Sequence, residues 1–305
     1  MPRTTRCAAS ALLAGMLVLL AGACARQTSA SDSDAVEIER LCFVPATSIQ
    51  LFSGVSVETA RPLLVSAFEI TRGEWRAYTG SPGVTLDPLL REVQEGWPES
   101  SDDLPASFCT LSEARAFAQS RGMRLPSAGE WLAIAVGSAG SPYPWGTSDV
   151  LSVANSLDLA LLEPMPVGSF ERGRTHSGIY DLSGNVAEWV EGSLDPQSPL
   201  AWAMGGSYLR RKARLYEPRE GLAGIQHVEL DPEHRAIDVG ARLVADPREY
   251  LLRCEAELAR IPRARERLFA VGRRFGAAAV PVLEAVAQER PESEALQWLL
   301  EGARS

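Results

Sequence analysis

Histidine and cysteine are scarce in this chain, three and five among 305 residues. That scarcity removes most designs built on an imidazole base or a soft metal site. His176, His227 and His234 fall in polar turns and loops, and no H-E-x-x-H or helical H-x-x-x-H spacing occurs. A G-x-S-x-G elbow and a glycine-rich phosphate loop are absent as well, which excludes the corresponding hydrolase and nucleotide-binding readings. Positive charge is also short: 30 Lys and Arg face 39 Asp and Glu, for a net charge of −9. A nucleic-acid partner needs a basic face to displace phosphate counterions, so none is expected.

What is there is an ordinary globular composition, 46% hydrophobic and 23% charged, with room for one large domain and a small appendage. Twenty Pro and 25 Gly point to a loop-rich architecture. Arg3 and Arg6 precede the apolar run Ala8 to Leu20, too short to span a bilayer comfortably, so residues 1–23 read as an export signal. Leu20-Ala-Gly-Ala-Cys24 fits two schemes: ordinary cleavage after small residues, or a bacterial lipoprotein box in which Cys24 becomes the acylated, palmitate-bearing N-terminus. The lipoprotein scheme is the expectation and puts the protein on the cell envelope, facing the periplasm or the surface. The alternative is a secreted or periplasmic protein. Burial of each acyl CH₂ contributes about 0.8 kcal/mol, so several chains on one cysteine hold firmly to a membrane.

Residues 24–37, rich in Ser, Asp and Ala, form the tether. Export permits disulfides. With Cys7 in the signal and Cys24 acylated, Cys42, Cys109 and Cys254 remain. Cys42 and Cys109 either pair or sit singly as small core residues.

Val36–Pro45 and Leu63–Ile70 are apolar and β-branched and read as strands. Thr71 with Glu74, Thr110 with Glu113 and Ser127 with Glu130 each form a capping box that opens a helix. Ser127, Glu130 and Trp131 are therefore a cap and an anchoring aromatic rather than a catalytic set. Residues 80–105 have little period and read as a long surface loop. Beyond Asp246-Pro247 the character changes to helical spacing: Arg248–Arg260, Arg265–Phe275, Gly276–Gln288 and Glu292–Gly302. The third of these resembles a HEAT-type repeat helix. One or two such units cannot bury their own faces, so residues 247–305 are expected to pack on the main domain, on themselves or on a partner.

The central stretch is Gly178-Ile-Tyr-Asp-Leu-Ser-Gly-Asn-Val-Ala-Glu-Trp189. Ser183-Gly184-Asn185 is a turn, and Asn185 and Glu188 place an amide oxygen and a carboxylate three residues apart. Spacing alone admits a hard-cation site or a sharp corner before a short strand, with Glu188 bonding the turn's amides. Calcium takes six or more oxygens, which favours the corner.

This stretch closely resembles the G-L-Y-D-M-x-G-N-V-W-E-W signature of the formylglycine-generating enzyme, or sulfatase-modifying factor, family. Three further stretches match in the family's order: Arg124-Leu-Pro-Ser-Ala-Gly-Glu-Trp131; Tyr143-Pro-Trp-Gly146 with Ala154-Asn155; and Gly205-Gly-Ser-Tyr208 followed by Gly240-Ala-Arg-Leu-Val244. The resemblance spans residues 38–246 and implies an α+β, C-type-lectin-like domain, loop-rich, followed by the helical extension. It also implies structural calcium, which reverses the reading from spacing. One site would use Ser183, Gly184, Asn185, Val186 and Glu188; another would use Asn155, with Asp158 the one carboxylate nearby.

The family's catalytic copper is held by two cysteines just after Gly-Gly-Ser. Here Gly205–Tyr216 contains no cysteine, so neither copper nor formylglycine formation is expected. A second branch, the ergothioneine-type sulfoxide synthases, holds iron by three histidines, mostly from an added helical domain. That pattern is missing, so iron is not expected.

What remains is a basic run in an acidic protein, Arg210, Arg211, Lys212, Arg214 and Arg219, placed where the family has its substrate-facing surface. It is either a solvated loop face or a site for an anionic partner, with Trp202, Tyr208 and Tyr216 supplying flat contact area. The resulting expectation is an exported, lipid-anchored binding or scaffold module for an exported protein or peptide. The alternative is another enzyme of the superfamily acting on an exported peptide or small molecule.

Overall fold

The computed structural model describes residues 37–52, 55–85, 87–195 and 197–305. Cys24, the export signal and almost all of the tether lie outside them.

Antiparallel strands β1 (Leu41–Val44) and β4 (Leu63–Ser66) pair Leu41 with Ser66 and Val44 with Leu63. The late strand β9 (Val244–Ala245) adds to β4, which ties the end of the domain to its beginning. Between them, β2 (Thr47–Phe52) and β3 (Val55–Thr59) form a hairpin, a feature not anticipated from the sequence.

The three capping boxes form as expected and open α1 (Arg72–Thr79), α3 (Leu111–Ser120) and α4 (Ala128–Val136). The segment 80–105, expected to be a loop, contains α2 (Pro88–Glu95). Asp87 caps it through the amides of Leu89 and Leu90, and Pro88 stands at the first turn, where a missing N–H costs nothing. α4 is buried along almost its whole length, which explains its continuous apolar sequence Trp131–Val136.

The sheet that carries the central stretch runs in the order β7 (His227–Leu230), β6 (Ala201–Met204), β5 (Ala187–Trp189), β8 (Val239–Gly240). β5 pairs antiparallel with β6 and parallel with β8. Trp189 donates its indole N–H to the Cys109 carbonyl at 3.0 Å, and Trp75 stacks on Phe117 with ring centroids 5.3 Å apart.

The extension is four helices: α5 (Pro247–Leu258), α6 (Ala264–Phe275), α7 (Val280–Glu289) and α8 (Glu294–Arg304). It packs on the main domain. One apolar cluster runs without a break from Leu41, Trp75 and Trp189 to Tyr250, Leu268 and Leu299. Phe43 of β1 meets Phe275, Arg274 donates to the carbonyls of Ile38 and Leu41, and Arg267 grips Glu39. No helix among the described residues is long and apolar enough to cross a membrane.

Cys42, Cys109 and Cys254 are buried, and no disulfide joins them to one another among the described residues. The Cys42–Cys109 alternative is thereby corrected: Cys42 lies in one apolar cluster and Cys109 in another.

Candidate functional site

The turn before β5 is built on left-handed backbone. Gly184 has φ +93°, and a Cβ there would lie 2.3 Å from the Asn155 carbonyl oxygen, so only glycine fits. Asn185 follows at φ +57°, a conformation asparagine tolerates. Its amide N–H donates to the Asn155 carbonyl at 2.7 Å. Its side-chain oxygen accepts from the Met165 N–H at 2.9 Å and from Asn155 Nδ2 at 3.1 Å. Its Nδ2 donates to Glu69 Oε2 at 2.7 Å, and Glu69 Oε1 accepts from the Val186 N–H at 3.0 Å.

Glu188 points into the core beneath that turn. Its carboxylate accepts from Trp131 Nε1 at 2.6 Å, Arg242 Nε at 2.6 Å and Arg242 Nη2 at 2.5 Å. Arg242 also donates to the Tyr180 carbonyl at 2.8 Å and the Ser66 carbonyl at 3.1 Å. A third carboxylate, Asp181, accepts from the Gly168 N–H at 2.7 Å. Three buried carboxylates thus share one buried guanidinium. Burial, then the charges of Asp181 and Glu188, push Glu69 well above the usual carboxylate range. Burial also pushes Asp181 up to about 6, against the opposing pull of the Gly168 amide and Arg242. The direct ion pair among these groups is Glu188–Arg242, with the carboxyls of Glu69 and Asp181 pushed upward beside it.

The side chains named for the two calcium sites are largely engaged by protein partners. Glu188 has its carboxylate engaged by Trp131 and Arg242, and the Asn185 amide oxygen is doubly bonded. Asp158 is taken by Arg211 and by the Lys212 amide. The Ser183 hydroxyl and Asn155 Oδ1 are buried without hydrogen-bond partners among the described residues. Side-chain oxygens alone therefore do not complete the six a calcium ion wants, and a site here would depend on the backbone carbonyls of the turn. Gly184 and Val186 serve the turn through their amides, bonded to the Gly205 carbonyl and to Glu69.

Among the described residues no group of three or more His, Cys, Asp and Glu could hold a metal ion. His227 stacks on Trp202 at 3.7 Å, while His176 and His234 are exposed on separate loops.

The partner surface needs correction in part. Trp202 is 1% exposed and Tyr208 is buried, its hydroxyl donating to the Ile237 carbonyl, so neither offers contact area. They are core residues because β6 and the Gly205-Gly206 turn face inward. Four of the five basic side chains are already paired, Arg210 with Asp238, Arg211 with Asp158, Arg214 with Glu217 and Lys212 with Asp149, and Arg219 is exposed. Arg211 nevertheless stands 80% exposed. Tyr216 is half-buried, its hydroxyl bonded to the Gly140 carbonyl at 2.6 Å.

Exposed apolar residues on the neighbouring loops escaped notice. Leu151, Leu161, Leu162, Leu209 and Ile237 are five of the seven large hydrophobics exposed among the described residues. Hydrogen bonds stitch their loops together: Leu157 N–H to the Arg210 carbonyl, Lys212 Nζ to the Val150 carbonyl, and Tyr208 to Ile237. Leu157, Leu159, Leu161 and Leu162 are conspicuous in the sequence as apolar residues in a short connection, which was the available signal.

A model of the sulfatase-modifying factor enzyme 1-like domain matches residues 5–247. The hercynine oxygenase of Mycobacterium tuberculosis is 31% identical over 223 residues, 58% of this chain and 51% of that protein. This chain therefore spans about half the length of that curated relative. The mouse inactive C-alpha-formylglycine-generating enzyme 2 is 30% identical over 105 residues, 31% of this chain and 34% of that one. Among solved structures, PvdO from Pseudomonas aeruginosa aligns over 68% of this chain and 94% of its own, with TM-score 0.50 and 21% identity. That likeness shows the fold alone, the α+β domain that the resemblance implied.

Proposed function

The chain belongs to the sulfatase-modifying factor enzyme 1-like family, and we propose that this member is an exported, lipid-anchored binding or scaffold module rather than an oxidase. The observation that carries the reading is the exposure of Leu151, Leu161, Leu162, Leu209 and Ile237 on loops tied by hydrogen bonds to the segment that holds Arg211. Exposed apolar side chains on neighbouring loops, with a charged residue near them, suit a protein or peptide partner with apolar anchors and acidic flanks. The Gly205–Tyr216 segment, with no cysteine, cannot supply the soft ligands of a copper oxidase. The mouse relative, named as inactive, agrees with loss of chemistry in the family.

The experiment is a peptide-array screen with the purified full chain. Apolar-acidic peptides are expected to bind, and a Leu151→Asp, Leu162→Asp variant is expected to lose them. Peptides held equally by wild type and variant would remove the face from the reading.

Export and anchoring rest on Arg3, Arg6, Ala8–Leu20 and Cys24. Cys24→Ser is expected to release the protein from the membrane fraction, and unchanged partitioning would rule the anchor out.

A second reading, an enzyme of the superfamily, is favoured by the identity to a hercynine oxygenase. Consumption of hercynine by the iron-supplemented protein would establish it over the binding module.

A further inference from the structure

A groove of about 640 Å³ opens where β1, the loop 174–180 and the end of α6 meet, between the main domain and the extension. Small-molecule sites commonly occupy about 300–1,000 Å³. Two aromatic pairs line it, Phe43 with Phe275 and Phe68 with Tyr180, with ring centroids 6.2 Å and 5.1 Å apart. Arg174 enters from the domain and Arg274 from the extension.

The charge of this lining is not balanced. Glu39 is its one carboxylate, and both oxygens of Glu39 are bonded to Arg267. Arg274 spends Nη2 on two neutral carbonyls, Ile38 at 3.2 Å and Leu41 at 3.0 Å, and forms no ion pair among the described residues. Arg174 uses Nε on Glu171 at 2.7 Å, which leaves its two terminal nitrogens without hydrogen-bond partners among the described residues. In a chain of net charge −9, a concave site with two guanidinium edges and no open carboxylate stands apart. Guanidinium forks match carboxylate and phosphate oxygens, and ring faces match a flat apolar body.

We propose that this groove binds a small aromatic anion, a carboxylate or phosphate on a ring-bearing body. Arg174 and Arg274 share the charged end, and the ring lies among Phe43, Phe68, Tyr180 and Phe275. A ligand held this way touches the domain and the extension together. The groove shares no residue with the Leu151–Ile237 face, so either site can fail without the other.

The test is calorimetric titration of the full chain with phenyl phosphate and benzoate, which separate the two head groups. Inorganic phosphate lacks the ring and phenol lacks the charge. At least one ring-bearing anion is expected to bind about tenfold or more tightly than either control. Arg174→Gln and Arg274→Gln are each expected to weaken it about tenfold. Arg274 also braces β1, so its variant is checked by thermal unfolding; Arg174 lies on an outer loop, and its variant carries the test if the other fails to fold. No binding by either anion, equal binding by phenol, or unchanged affinity in Arg174→Gln would overturn the proposal.

Discussion

Arg242 grips Glu188 with two nitrogens, Nε at 2.6 Å and Nη2 at 2.5 Å, and neither residue is more than 1% exposed. The contact joins the turn of the central stretch to the strand-like segment 239–245 and engages the carboxylate named for a calcium site. Taking one partner away leaves the other charged in an apolar core, which costs about 3–5 kcal/mol. Glu188→Ala is therefore expected to lower the unfolding midpoint sharply. The drop should be the same in calcium buffer and in chelator, measured by thermal unfolding. A larger drop in calcium would show that an ion is held there.

Asp181 gives the pH dependence its sign. Its folded carboxyl titrates near 6, against the usual 3.8, because burial disfavours the charge. A raised carboxyl stabilises fully below the unfolded value, and that contribution is lost as pH rises through the folded one. Asp181→Asn keeps an acceptor for the Gly168 amide and removes the buried charge. Urea unfolding is expected to show a gain on the order of 2 kcal/mol at pH 7 that shrinks toward zero near about pH 4. A gain independent of pH would contradict the assignment.

The extension rests on two glycines. A Cβ on Gly272 would lie 1.9 Å from the Leu299 carbonyl oxygen, and one on Gly302 would lie 2.1 Å from that of Phe269. α6 and α8 therefore cross in direct backbone contact, which no larger residue allows. Gly272→Ala is expected to cost about 3 kcal/mol, although alanine is the better helix former. Because the apolar cluster is continuous with the domain, denaturant unfolding should remain one transition at a lower midpoint. Separate unfolding of the extension would show two independent units.

Leu151 and Ile237 are 68% and 58% exposed, so their replacement leaves folding nearly untouched. Leu151→Asp with Ile237→Asp is expected to change stability by no more than about 0.5 kcal/mol while abolishing peptide capture. Calorimetric unfolding read beside binding separates the two effects.

Much of the fold was legible because its signals are local. The capping boxes at Thr71, Thr110 and Ser127 and the helix start at Asp246-Pro247 need only a few neighbouring residues, and each appears in the structure where the sequence places it. α2 was hidden because the acidic, proline-rich context of 80–105 masks its Asp87-Pro88 start. The site was harder to read because its partners are distant in sequence. Glu69 and Arg242 stand as lone charges in apolar runs, yet nothing nearby says that they meet Asn185 and Glu188, 116 and 54 residues away. Trp202 and Tyr208 misled for the same reason. An aromatic beside a basic run suggests a surface until β6 is seen to be an interior strand of its sheet.

We propose a family domain that keeps its framework through a protein ion pair and acts as a binding module rather than a metal oxidase. Elemental analysis of the purified full chain tests it most directly, with calcium, copper and iron counted per molecule after dialysis. All three are expected to be far below one per chain. A stoichiometric copper or iron that resists dialysis would contradict the account.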